Sequence, residues 1–213
     1  SYRHYHQDPG QPYSMSHNSV RQIYRDRQGG MWLGTYFGGV SYYHPEHIKF
    51  NLLTQNRGKL SLTDQVINVI SQDDRQNFWI GTNDKGISYW DRQQGTITGY
   101  SHTVSGTPIF RSNSIKAILQ LGDGRLLVGT HNGGLNLFSP KNFANRVFLH
   151  TPDDTTTISG DMVYALLRDH RGEIWVGTRT GLDRFDLATQ TFRRFASEHP
   201  EQSFSSRTVT FLL

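Results

Sequence analysis

Met31–Val40 reads MWLGTYFGGV. The chain writes the phrase again as FWIGTNDKGI at Phe78–Ile87, LLVGTHNGGL at Leu126–Leu135 and IWVGTRTGL at Ile174–Leu182. The threonines of the phrase, Thr35, Thr82, Thr130 and Thr178, are 47, 48 and 48 residues apart. A reaction centre is normally specified once, whereas a phrase repeated at a fixed interval states architecture.

Working outward from the phrase gives the unit. In the first copy Val20–Tyr24 is a β-prone run, followed by the turn residues Arg27-Gln28-Gly29-Gly30. Met31–Thr35 is a second run, Tyr36-Phe37-Gly38-Gly39 a second turn, Val40–Tyr43 a third run and Ile48–Leu52 a fourth. The other copies repeat the plan, and no segment carries an apolar stripe of helical period. Four short strands joined by glycine-containing turns make an antiparallel meander. Such meanders at this period predict an all-β fold, a β-propeller built of four-stranded antiparallel blades. Labelling the strands A to D from the centre outward, the full blades fall at 18–52, 64–100, 113–149 and 161–195. The spacing from Pro9 to Asn18 equals that from Pro152 to Asp161, so residues 1–7 read as a leading strand D. Residues 207–213 read as a trailing strand A. The whole of 1–213 is thus expected to be one propeller segment of a longer propeller.

Trp32, Trp79 and Trp175, with Leu127 in the equivalent place, sit on strand B, where a large apolar group can pack between blades. The glycines two residues on, Gly34, Gly81, Gly129 and Gly177, allow a close neighbour. These eight residues are read as structural. Asn18, Asp64, Asn113 and Asp161 recur just before strand A and are read as local turn caps.

Composition excludes several classes. Cysteine is absent, which removes disulfides, thiol chemistry and Cys-based zinc sites. There is no run of 18 apolar residues, so no membrane insertion by this segment is expected. The net charge of +4 comes mainly from 17 arginines against 5 lysines, with no block of basic residues of the nucleic-acid type. Arginine favours a carboxylate or sulfate partner through its planar fork. The ten histidines include His4-x-His6 and His44-x-x-His47, neither with a third ligand nearby, so no metal and no cofactor are expected.

The units resemble the two-component regulator propeller repeat, N-x-V-x-x-I-x-x-D-x-x-G-x-[IL]-W-[IV]-G-T-x-x-G-G-[IL]. The first supplies Asn18, Val20, Ile23, Asp26, Gly29, Trp32, Gly34, Thr35 and Gly39; the fourth supplies Asp161, Val163, Leu166, Asp169, Gly172, Trp175, Gly177, Thr178 and Gly181. Unit two has one extra residue between Val66 and Asp73, read as a bulge. Unit three has Leu121 for Asp and Leu127 for Trp, and unit four has one Gly after Thr178. The resemblance implies an extracytoplasmic, periplasmic sensor region of a hybrid two-component histidine kinase, as in Bacteroidetes, anchored in the inner membrane. It implies oligosaccharide ligands and downstream output modules absent from these residues; a diguanylate cyclase is the other known output.

Function is expected at the loops. The B–C loops vary on a fixed scaffold: Tyr36 and Phe37, then Asn83, Asp84 and Lys85, then His131 and Asn132, then Arg179. Rings suit the apolar face of a sugar, amides its hydroxyls, and Lys85, His131 and Arg179 a carboxylate or sulfate. Arg57 and Arg111 on the D–A loops extend the set. The expected partners are an oligosaccharide, an anionic one favoured, and other propeller blades of the parent chain or a second copy. Catalysis is not expected of this segment, and a scaffold without a small ligand is the alternative.

Overall fold

β-Branched and aromatic residues ending in Gly-Thr make the second strand of each of four sheets. In a computed structural model the described residues are 4–8, 14–44, 47–53, 61–102, 105–195 and 208–212. The strands are β1 (Val20–Arg25), β2 (Met31–Thr35), β3 (Val40–His44), β4 (His47–Leu53), β5 (Ile67–Gln72), β6 (Phe78–Thr82), β7 (Ile87–Asp91), β8 (Thr96–Tyr100), β9 (Ile115–Gln120), β10 (Leu126–Thr130), β11 (Leu135–Phe138), β12 (Asn145–Phe148), β13 (Val163–Arg168), β14 (Ile174–Thr178), β15 (Leu182–Asp186) and β16 (Thr191–Arg194).

The chain divides into two compact units, Ser1–Tyr100 and Ser101–Leu213. The first holds the sheets β1-β2-β3-β4 and β5-β6-β7-β8; the second holds β9-β10-β11-β12 and β13-β14-β15-β16. Every sheet is an antiparallel meander, the blade of a β-propeller. Within each unit the blades meet through their A strands, β1 with β5 and β9 with β13.

The A–B turns show why the repeat carries Asp. In the first blade Asp26 Oδ1 accepts the N–H groups of Gln28 (3.0 Å) and Gly30 (2.8 Å), while Oδ2 accepts the Trp32 indole N–H at 2.8 Å. Asp169 does the same for Arg171, Glu173 and Trp175, and these donors hold its carboxyl below the usual range. In the second blade Asp73 again takes two backbone N–H groups, and its Oδ2 accepts the Tyr89 hydroxyl at 2.9 Å. The third blade lacks a carboxylate at this position: Leu121 N–H donates to Arg125 O at 2.8 Å, and the turn's side-chain acceptor is Asp123, whose Oδ1 takes the Arg125 N–H at 3.0 Å. Leu121 and Leu127 are both buried in its apolar core. The two departures of unit three are therefore one: a carboxylate without the indole donor would be buried unpaired, and both partners are replaced together.

Trp32 is 2% exposed and lies between the first two blades. Its ring is 4.2 Å from Phe78, 5.3 Å from Trp90 and 4.4 Å from Tyr42. Leu127 takes the equivalent place against Ile174, Val176 and Phe185. Trp79 is buried and Trp175 half-buried. Gly34 and Gly129 sit where the next blade's strand A passes, and Gly177 where the segment around Val209 passes. A methyl group on Gly34 would lie 3.0 Å from Ile67 Cγ2, on Gly129 2.6 Å from Val163 Cγ1, and on Gly177 2.8 Å from Val209 Cγ1; Gly81 is buried as well.

Three readings change. Of residues 1–7 and 207–213, expected as a leading strand D and a trailing strand A, the described ones, 4–7 and 208–212, carry no strand, and the rest lie outside the described residues. Side chains serve the first segment instead: Gln7 N–H donates to Asn18 Oδ1 (2.6 Å) and Asp8 N–H to Ser14 Oγ (3.0 Å). The segment before the fourth blade is held alike, His150 N–H donating to Asp161 Oδ1 (2.7 Å) and Thr151 N–H to Thr157 Oγ1 (3.1 Å). Asn18 and Asp161 thus each staple the segment preceding their blade, and are not local caps. Among the described residues Asp64 caps locally, accepting the N–H groups of Gln65 and Val66. Finally, a bulge occurs in every strand A, not in unit two alone. The extra residue of unit two lies before β5.

Candidate functional site

The B–C loops share one construction. The threonine ending strand B is fully buried in each blade. Its Oγ1 donates to the last loop glycine, Thr35 to Gly39 O (3.0 Å), Thr82 to Gly86 O (2.8 Å), Thr130 to Gly134 O (3.1 Å) and Thr178 to Gly181 O (3.0 Å). The first loop residue donates its N–H to the residue just before strand A. These bonds are Tyr36 to Ser19 O (2.9 Å), Asn83 to Val66 O (3.0 Å), His131 to Ser114 O (2.9 Å) and Arg179 to Met162 O (3.0 Å). Each loop backbone is closed at both ends, and only its side chains differ between blades.

Beneath three of the loops lies a hydroxyl or carboxyl contact. Ser16 Oγ and Ser41 Oγ are 2.9 Å apart, and Thr63 Oγ1 and Ser88 Oγ 2.7 Å. In the fourth blade Ser159 donates both N–H (2.9 Å) and hydroxyl (2.7 Å) to Asp183 Oδ2. Asp183 is fully buried and its Oδ1 has no partner among the described residues. Burial pushes this carboxyl above its ordinary range, against the opposing pull of the Ser159 donors, Arg194 and His150.

In the first unit Tyr36 is half-buried and Phe37 is 56% exposed, their rings 4.3 Å apart. The Arg21 guanidinium lies 4.3 Å over the Tyr36 ring. Asn83 donates to Asp84 Oδ1 at 3.1 Å and accepts from Asn68 at 3.5 Å. Asp84 N–H is held by Asp64 Oδ2 at 2.9 Å, and Lys85 is exposed. In the second unit His131 is half-buried, 6.4 Å from the Tyr164 ring, and Asn132 is exposed with φ of 70°. Arg179 is exposed, its Nη1 3.7 Å from Met162 Sδ, which the Tyr164 hydroxyl also approaches at 3.6 Å. Arg111 is exposed on the segment before β9. Arg57 lies outside the described residues. The geometry therefore joins Tyr36 with Phe37, Asn83 with Asp84, and His131 and Arg179 with Tyr164. Sequence reasoning missed Arg21, Asn68 and Tyr164.

Charge is distributed unevenly. The ion pairs Arg27–Asp74 (3.6 Å), Arg125–Asp123 (2.6 Å) and Arg184–Glu173 (2.7 Å) all lie toward the opposite, A–B end of their blades. Among the described residues Lys85, Arg111 and Arg179 make no ion pair. No group of three or more His, Asp or Glu residues among those described could hold a metal, and no described helix is long and apolar enough to cross a membrane.

A cavity of about 500 Å³ lies elsewhere, at the A–B end of the fourth blade, lined by Arg168, Glu173, Arg184, Asp186, Leu187 and Arg193 among others. It opens beside the sheet face carrying Trp175, Arg184 and Arg193 in register. The same face of the first blade, Trp32 and Tyr42, is covered by Phe78 of the next. The cavity is the flank of a blade, and the locked loops are the better candidate for a small ligand.

Residues 14–37, 61–84 and 157–180 match the family model of the two component regulator propeller. Three stretches, in the first, second and fourth blades, are thus similar to that repeat. The third blade, which lacks the Asp–Trp couple, falls outside the matched stretches. The fold is similar to that of the extracellular domain of a hybrid two component system from B. thetaiotaomicron, 26% identical with a TM-score of 0.76, covering 87% of this chain and 25% of that one. The extracellular domain of a one component system from the same organism is 18% identical, with a TM-score of 0.60 over 92% of this chain and 33% of that one. Virginiamycin B lyase from Staphylococcus aureus is 13% identical, with a TM-score of 0.60 over 83% of this chain and 55% of that one. The last two likenesses concern the fold alone. The chain spans about a quarter to a third of the length of the two Bacteroides structures. Comparison with curated proteins finds no match.

Proposed function

We propose that this chain is a ligand-sensing part of the extracytoplasmic region of a hybrid two-component system, periplasmic and anchored to the inner membrane through its parent. It takes an oligosaccharide, an acidic one by preference, on the B–C loops, and performs no catalysis itself. The observation that carries this reading is the pairing of fixed loop backbones with varied side chains. Within each unit a fixed frame, presenting Tyr36 and Asn83 in the first and His131 and Arg179 in the second, recognises a hydroxyl-rich molecule with little ordering cost. Unpaired cations at that end favour carboxylate or sulfate groups. The repeats and the likeness to an extracellular two-component domain support the sensing context. The signal to a kinase is a population shift, in which the ligand favours one arrangement of the parent by its difference in affinity.

The Trp175–Arg184–Arg193 flank favours a further partner, another blade of the parent chain or of a second copy, whether or not a sugar binds. The test is a thermal-shift screen of the 213-residue chain against neutral, uronic-acid and sulfated oligosaccharides. Binding to the native state adds about 2.7 kcal/mol at 100 times the dissociation constant. A saturable shift with an acidic oligosaccharide, weakened in Arg179→Ala, is expected. A folded chain that responds to no glycan overturns the reading in favour of a scaffold.

A further inference from the structure

We propose that the residue held in the bulge at the start of each innermost strand, Arg21, Asn68, Lys116 or Tyr164, reads the ligand, and that Lys116 and Tyr164 set a preference for a carboxylated or sulfated sugar. The inference rests on the B–C loops being the binding end.

The backbone singles out these four positions. In β1 the register passes from Val20↔Thr35 to Gln22↔Gly34, leaving Arg21 without an opposite residue. In β5 it passes from Ile67↔Thr82 to Val69↔Gly81, leaving Asn68. In β9 it passes from Ile115↔Thr130 to Ala117↔Gly129, leaving Lys116, and in β13 from Val163↔Thr178 to Ala165↔Gly177, leaving Tyr164. A bulge frees one residue from the alternation of the ladder and re-aims its side chain. Four bulges at one register, each directly after the residue paired with the threonine that locks the B–C loop, are a feature of the repeat.

The chemistry separates these positions from their neighbours. The residues before them, Val20, Ile67, Ile115 and Val163, are all β-branched and apolar, and the last three are fully buried. The bulge residues are a guanidinium, an amide, an ammonium and a phenol, Arg21 exposed and the others half-buried. Packing explains the constancy of the first set and does not ask for the variety of the second. Three of the side chains also reach the loops. Arg21 covers Tyr36 at 4.3 Å, Asn68 meets Asn83 at 3.5 Å, and Tyr164 lies 6.4 Å from His131 of the preceding blade. Met162 Sδ is shared by the Tyr164 hydroxyl and Arg179. In the second unit Tyr164 thus stands between His131 and Arg179, where a ring can stack on a sugar while cations take its anionic group.

The test uses the 213-residue chain with a sulfated and a uronic-acid oligosaccharide, and a neutral one as reference, in thermal-shift titrations. The variants are Lys116→Gln, Tyr164→Phe, Tyr164→Ala and, as a control at the other end of a blade, Lys141→Ala. Tyr164→Phe keeps the ring volume, so a fold defect in Tyr164→Ala does not obscure the result. The expected outcome is acidic-oligosaccharide affinity at least tenfold weaker in Lys116→Gln and Tyr164→Ala, severalfold weaker in Tyr164→Phe, and unchanged in Lys141→Ala. Neutral-oligosaccharide affinity should be unaffected by Lys116→Gln. If the wild type binds and Arg179→Ala loses binding while the bulge variants stay within twofold, this proposal falls and the B–C site stands. If the wild type binds no glycan, both fall.

Discussion

Replacing Trp32 by leucine and Asp26 by leucine, singly and together, probes whether the Asp–Trp couple is one unit. Trp32→Leu removes an indole packed against Phe78, Trp90 and Tyr42, and leaves Asp26 Oδ2 without its 2.8 Å donor in a site only 5% exposed. Large-to-small changes of this kind cost about 3–5 kcal/mol, and the lost bond to a charged group about 1.5–3 kcal/mol of that. Asp26→Leu removes the acceptor of two backbone N–H groups and of the indole, leaving a buried indole N–H unpaired. That orphaned donor alone costs about 1–3 kcal/mol. In the double variant neither orphan exists, and the pair becomes the Leu121 and Leu127 that the third blade already buries. The double variant should therefore be more stable than the sum of the singles implies, by about 1.5–3 kcal/mol, within the range for contacting residues. Urea unfolding followed by tryptophan fluorescence and far-UV dichroism, with the slopes compared, gives the cycle. Additivity within about 0.5 kcal/mol would refute the reasoning, because independent sites add to that accuracy.

Gly129→Ala should destabilise by about 1–3 kcal/mol through overpacking, since its methyl group would lie 2.6 Å from Val163 Cγ1; Val163→Ala should restore part of the loss in a denaturation series. Asp183 carries a raised carboxyl pKa, so its contribution to stability is fully present below the unfolded-state value and is lost as pH rises through the folded one. Asp183→Asn should accordingly gain on the wild type from acid to neutral pH in melting-temperature profiles, whereas parallel profiles would count against the burial argument. Tyr89 is pushed up to about 12 by burial and by its bond to Asp73. The stability it contributes should be lost as pH rises from its ordinary value of 10.0 through about 12, and Tyr89→Phe should flatten that alkaline limb.

The sequence made the blades legible because period, turn glycines and the Gly-Thr strand ends all follow local rules. The 47- and 48-residue spacing and the β-prone runs marked each sheet to within a few residues. What escaped depended on long-range partners. Residues 1–7 look like a strand D in spacing, but the N–H groups of Gln7 and Asp8 go to the side chains of Asn18 and Ser14. Asn18 and Asp161 look like caps by residue type, yet each reaches back to the segment preceding its blade. The losses of Asp and Trp in unit three read as two departures because their link is spatial. The loop residues of the candidate site were readable as variable positions between fixed strands. Arg21, Asn68 and Tyr164 were not, because strand periodicity assigns a bulged residue to the wrong face.

The most direct test of ligand sensing at the B–C loops is amide hydrogen exchange of the 213-residue chain with and without the acidic oligosaccharide giving the largest thermal shift. The account expects new protection at and around Tyr36, Asn83, His131 or Arg179, with the A–B turns at Asp26, Asp73 and Asp169 unchanged. Protection confined to the A–B turns, or to the fourth-blade cavity between Arg168 and Arg193, would contradict it.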